Sequence, residues 1–172
     1  MQKARSIYVR FFILEGAKKK SFTLEEAQKR LEHYCAYQER CHYEVELKLR
    51  ELNMISSAQE IIITKLLEEN YLNETRFSQS FTRGKFRIKK WGKERIIREL
   101  KARKISDYNI KKGLKEISDE DYSETFYTLF EKRKASICHY PLYERKKKIL
   151  DYMLYRGWEK ERIYSSLNEL KP

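Results

Sequence analysis

The sequence predicts an all-α fold, an elongated tandem array of three three-helix repeats. Three observations predict it. Breakers are scarce: 5 Gly and 2 Pro in 172 residues, with Pro141 the only proline before the last position, which leaves long stretches free to be helical. From about Thr23 onward, apolar residues recur three and four apart, with capping residues between the stripes. The chain also matches itself at an offset of 53 residues.

The elements follow in order. Thr23 caps a helix with Glu25 and Glu26 in its first turn, and Leu24, Ala27, Leu31, Tyr34 and Cys35 form its inner stripe. Val45, Leu49 and Leu52 mark a second helix. Ser56 or Ser57 is the expected cap of a third, with Ile62, Leu66 and Leu67 inward. Asn73 caps the next, where Phe77 and Phe81 sit four apart. Ile96, Ile97 and Leu100 follow Gly92. Ser106 and Asp107 start a helix carrying Ile110, Leu114 and Ile117. Ser118 precedes three acids that suit a helix start and the stripe Tyr122, Phe126, Leu129 and Phe130. Pro141 is expected in the first turn of a helix with Ile149, Leu150 and Met153, which Gly157 stops. Ile163, Leu167 and Leu170 mark the last helix. Ile7 to Leu14 reads equally as strand or helix.

Shifted by 53, Ile96 falls on Ile149, Leu100 on Met153, Arg103 on Arg156, Ile105 on Trp158, Ile110 on Ile163 and Leu114 on Leu167, without a gap. A looser copy aligns Val45, Leu49 and Met54 with Ile96, Leu100 and Ile105 at an offset of 51. The implied organisation is an N-terminal extension over 1–22 and three-helix units over 23–72, 73–117 and 118–172. Units this small bury little alone and are stabilised by stacking.

Charge is blocked along this array. The chain carries 38 Lys and Arg against 26 Asp and Glu, a net +12. Residues 82–115 hold 14 basic and 3 acidic residues, nearly the whole excess, whereas 116–131 hold 6 acidic and none basic. Such a balance favours anionic partners. No apolar run is long enough to span a membrane. Three cysteines, Cys35, Cys41 and Cys138, cannot all pair within the chain, in keeping with a reducing, cytoplasmic setting.

The candidate binding residues are Arg83, Lys85, Arg87, Lys89, Lys90, Trp91, Lys93, Arg95, Arg98, Lys101 and Lys104. Cations interleaved with rings suit phosphates, acidic side chains and stacking. Arg95, Arg98, Lys101 and Lys104 recur at three-residue steps, opposite Ile96 and Leu100, as a charged ridge. The bland alternative is a solvated face with Phe86, Ile88 and Trp91 in the core. Arg145 to Lys148 form a smaller basic run. His33, Cys35, Cys41 and His42 fit no common zinc spacing. No phosphate-cradling glycine loop or nucleophile motif is present, so neither a cofactor nor catalysis is expected.

Several segments together resemble the RecX family. They are Arg40 followed by Glu44-Val45-Glu46-Leu47-Lys48-Leu49; Leu67 to Phe77, which ends Tyr-Leu-Asn-Glu-Thr-Arg-Phe; Gly92 to Leu100, then Ile105; and Met153-Leu154-Tyr155-Arg156-Gly157-Trp158. Asn70 and Asn73 stand where the family has Gly and Asp, and Tyr43 where a small hydroxyl residue is common. The resemblance covers about residues 23–170. It implies a non-catalytic, monomeric regulator that binds the RecA filament on single-stranded DNA and inhibits its growth, ATP hydrolysis and strand exchange, with direct DNA contact in some members. The rival reading is a helical DNA-binding protein in which 92–103 and 106–117 form a helix-turn-helix-like pair.

Overall fold

The computed structural model describes residues 22–170. The Ile7–Leu14 question and nearly all of the expected N-terminal extension lie outside the described residues. Among those described there are nine helices and no strand: α1 Leu24–Tyr37, α2 His42–Glu51, α3 Ser56–Glu68, α4 Glu74–Lys89, α5 Lys93–Ala102, α6 Asp107–Leu114, α7 Asp119–Ser136, α8 Leu142–Tyr155 and α9 Lys160–Asn168. The fold is the all-helical tandem array that the periodicity implies.

Side-chain caps start four of the nine described helices. Thr23 and Glu26 form a reciprocal capping box at α1. Asn73, Ser106 and Ser118 each accept a backbone N–H from the first turn of α4, α6 and α7. Two expectations are corrected. Neither Ser56 nor Ser57 caps α3; Ile55 holds the cap position without a side-chain bond and both serines lie inside the helix. Pro141 is the cap of α8, one residue ahead of the first turn, because its extended ψ of 151° is not helical. Leu67 is also misplaced by pattern reading. It is 44 % exposed, because Ile62 and Leu66 fill the inward stripe of α3.

Helices α1, α2 and α3 pack on one another, as do α4, α5 and α6, while α8 packs on both α7 and α9. The first group closes its own core around Leu31, Leu49, Ile62 and Leu66. The second and third groups share one core, in which Phe86, Ile96, Phe126, Ile149, Met153 and Trp158 are contiguous. Cys41, the cap of α2, is the one fully buried residue of the first group that belongs to that second core.

Candidate functional site

The eleven basic and aromatic candidates lie on α4, α5 and their connections, at the centre of the array. Their backbone places them unequally. Arg87, Lys89, Lys90, Arg98, Lys101 and Lys104 are exposed, as is Arg83, whereas Lys85, Trp91, Lys93 and Arg95 are half-buried. Phe86 is core, but Ile88 is 76 % exposed, so the bland reading of this stretch as a helix end with three core residues fails at Ile88.

Several candidates are held by internal partners. Arg83 pairs with Glu116 at 2.7 Å, Lys93 with Asp119 at 3.2 Å and Lys101 with Asp107 at 3.4 Å. These are the acids that open or precede α6 and α7, so the acidic block answers the basic one locally. Exposed pairs of this kind contribute little, about 0–1 kcal/mol each. Among the described residues, Arg87, Lys89, Lys90 and Arg98 make no side-chain ion pair.

Other candidates form a ladder of alternating cations and rings. Arg103 and Lys85 each stand 5.1 Å from the Phe81 ring, Lys85 is 5.2 Å from Trp91, and the Arg95 guanidinium lies between Trp91 at 4.1 Å and Tyr155 at 4.7 Å. The ladder runs from α4 through α5 to the end of α8. Each rung is worth about 0.5–1 kcal/mol where exposed and more where desolvated. Arg95 also donates to the Tyr155 carbonyl at 2.8 Å. It is therefore a joint between the second and third groups, and only secondarily a free cation.

The same joint explains the Arg156-Gly157-Trp158 motif. Arg156 donates to the Lys89 carbonyl at 2.7 Å, satisfying the open end of α4. Gly92 N–H donates to the Arg156 carbonyl at 2.9 Å. The backbones approach so closely that a Cβ on Gly92 would lie 2.1 Å from the Gly157 oxygen, and one on Gly157, at φ +79°, would lie 2.4 Å from the Arg95 nitrogen. Trp158 fills the space behind them, 4.5 Å from the Tyr122 ring. Tyr122 accepts the Lys93 N–H and donates to Glu159. Burial, reinforced by the Glu159 carboxylate, pushes that phenol well above its usual range.

Lys90 and Lys104 adopt left-handed backbone, φ 53° and 59°. This conformation costs a non-glycine residue roughly 1–2 kcal/mol. At the position equivalent to Lys104, the first unit has Asn53 at φ 57° and the third has Gly157, both residues that tolerate it. The second unit alone places a lysine there.

Sequence reasoning missed Arg103 as a member of this surface. It joins the ladder and pairs with Glu99 at 3.1 Å and Glu44 at 3.4 Å. The signal was its match to Arg156 in the repeat. Cys35 and Cys41, close in sequence, lie in different cores, and Arg145 to Lys148 lie on α8.

Comparison with known proteins gives a consistent picture. Residues 73–114 match the family model of RecX, second three-helix domain. The Regulatory protein RecX of Bacillus cytotoxicus is 28 % identical over 138 residues, 80 % of this chain and 51 % of that protein. The one from Bacillus cereus strain B4264 is 29 % identical over 138 residues with the same coverage. The chain thus spans about half the length of the curated relatives it matches. The crystal structure of RecX from Lactobacillus salivarius superposes with a TM-score of 0.72 at 25 % identity, over 86 % of this chain and 97 % of that one. A second crystal structure, of regulatory protein RecX, gives 0.75 at 20 % identity, over 86 % and 73 % of the two chains. The likeness to RecX holds in sequence and in fold.

Proposed function

We propose that this chain, a relative of the RecX proteins in sequence and in fold, is a non-catalytic regulatory protein that binds the RecA filament on single-stranded DNA and inhibits its growth and ATP hydrolysis. Its units are 23–72, 73–117 and 118–172, and the second carries the contact. It acts as a monomer in the cytoplasm, with DNA a secondary partner.

The observation that carries this reading is the surface of the second unit. Arg87, Lys89, Lys90 and Arg98 point outward without an ion pair among the described residues. Lys90 and Lys104 hold positions where backbone strain favours glycine or asparagine. Strain retained at exposed lysines marks side chains that serve something other than stability. Exposed cations without an ion pair, concentrated on α4, α5 and their connection, suit a long anionic assembly and draw it in by electrostatic steering.

The test reverses Arg87, Lys89, Lys90 and Arg98 to Glu together. Arg95 is left intact, because it ties the second unit to the third. The quadruple variant keeps its helicity and loses at least tenfold in retention by RecA polymerised on single-stranded DNA, and in inhibition of its ATPase. Unchanged inhibition rejects this surface. Equal retention by bare single-stranded DNA favours the direct DNA-binding reading instead.

A further inference from the structure

The first unit is acidic: residues 23–72 hold 10 acidic and 6 basic residues. Three of the six cations nevertheless gather at one place. Lys29 and Arg30 of α1 and Lys48 of α2 line an open hollow of about 620 Å³, together with His33, Tyr34, Tyr37 and Leu52. Among the described residues no carboxylate lines it. The volume falls within the range of small-ligand sites, about 300 to 1,000 Å³.

Both helices set a cation one turn ahead of an apolar group. On α1, Arg30 precedes Tyr34 and His33 precedes Tyr37 by four residues; on α2, Lys48 precedes Leu52 by four. A flat group laid on the tyrosines thus has positive charge roughly 6 Å away along the helix axis. The charges there are available. Elsewhere in the unit Arg40 pairs with Glu44, Arg50 with Glu46, and Lys65 bonds the Gln28 amide. In the hollow Lys48 alone is answered, by Glu51 at 2.7 Å; Lys29, Arg30 and His33 are exposed and make no ion pair among the described residues. Arg30 lies over the Phe22 ring at 4.5 Å, which orients its guanidinium and leaves the charge uncompensated. The rings differ in the same way. Tyr34 is covered by Arg40 at 4.0 Å, whereas Tyr37 is 82 % exposed.

We propose that this hollow binds a single nucleotide. The base stacks on Tyr37, beside Tyr34 and Leu52, and the phosphates meet Lys29 and Arg30 with His33 next to them. Stacking accepts any base, because each has a π-face, and guanidinium and ammonium groups are the usual partners of phosphate. The surroundings select one nucleotide over a strand. Glu25 and Glu26 stand one turn before Lys29 and Arg30, and Glu51 sits on Lys48. A strand leaving the hollow along either helix would meet these carboxylates, whereas on the second unit exposed cations continue from α4 to α5. The inference concerns a different unit from the regulatory surface and does not rest on it.

The test titrates isotope-labelled full-length chain with thymidine 5′-diphosphate, thymidine, inorganic pyrophosphate and a short oligodeoxythymidine. Thymidine 5′-diphosphate shifts the Tyr34 and Tyr37 ring resonances and the Leu52 methyls, binds at least tenfold more tightly than thymidine or pyrophosphate, and weakens with added salt. Tyr37→Ser, at an exposed position outside the core, lowers its affinity at least fivefold and leaves that of pyrophosphate unchanged. Lys29→Gln combined with Arg30→Gln, both exposed, keeps the helicity and lowers the affinity at least tenfold. Equal binding of pyrophosphate marks a general anion patch and overturns the proposal. So do absence of shifts at Tyr37, tighter binding of oligodeoxythymidine at these resonances, or unchanged affinity in either variant. A chain that binds the nucleotide at Tyr37 but ignores RecA filaments keeps this inference and rejects the regulatory reading; the reverse result rejects this inference alone.

Discussion

The first and second units meet through charged side chains, and the second and third meet through backbone and aromatic rings. At the first junction Arg76 bonds Glu39, His42 faces Glu74 at 3.1 Å, and Arg103 reaches Glu44. Among the described residues, Cys41 is its only fully buried apolar link between the two cores. At the second junction Gly92 and Gly157 bring two backbones together, and Tyr122, Phe126 and Trp158 fill a continuous core. The equivalent arginines show the contrast best. Arg103 grips a carboxylate on a side chain, whereas Arg156 grips a main-chain carbonyl. One junction is therefore adjustable and salt-sensitive, and the other is rigid.

The largest expected effect breaks the rigid side. Gly157→Ala forces a Cβ into the Arg95 backbone at a left-handed residue and costs about 3 kcal/mol, read by urea unfolding. The next test is alkaline. Burial pushes the Cys35 and Cys41 thiols up to about 11, against 9.0 when free. Above pH 9 the unfolded chain sheds protons that the folded chain keeps, so stability is full below that pH and falls as the pH climbs toward 11. The expected loss is on the order of 2 kcal/mol per thiol. In Cys41→Ala one of the two thiol contributions is gone, and the fall between pH 9 and 11 is smaller by that amount.

A smaller effect sharpens the charged side. Arg103→Met costs about 1 kcal/mol, since both partners are partly solvated. It also reduces the salt dependence of amide exchange in α1–α3, part of which stays with the Arg76–Glu39 pair, while α7–α9 exchange changes less with salt. The smallest change has the opposite sign. Lys104→Gly relieves the left-handed strain and stabilises the chain by about 1 kcal/mol in the same urea assay. Retention by RecA filaments nevertheless weakens. A variant that is more stable and binds as well as before removes the argument from strain.

Much of the fold was legible because its periodicity is strong. Leu31, Leu49, Ile62, Ile96, Phe126 and Ile163 are buried where the stripes placed them, and Thr23, Asn73, Ser106 and Ser118 cap as their chemistry suggests. Leu67 escaped because a 3.6-residue period does not say which edge of an apolar stripe meets a neighbour. The candidate surface was legible as composition but not as geometry. Charge counting cannot separate Arg98, which faces solvent, from Arg95, which is sandwiched between two rings. Nor can it find a cleft whose two walls, at Glu39 and Gly84, lie on different units. Those relations depend on how one unit leans on the next, and local pattern does not encode that angle.

Arg103 and Arg156 share one further property: each reaches from its own unit back to the preceding one. The array thus has a grain, like shingles laid from one edge. During synthesis the N-terminal units emerge first, and every later unit arrives already carrying the hook that fastens it to what is there. Arg95 runs the other way, from the second unit forward to the Tyr155 carbonyl, so the last unit is hooked on arrival and then caught in return.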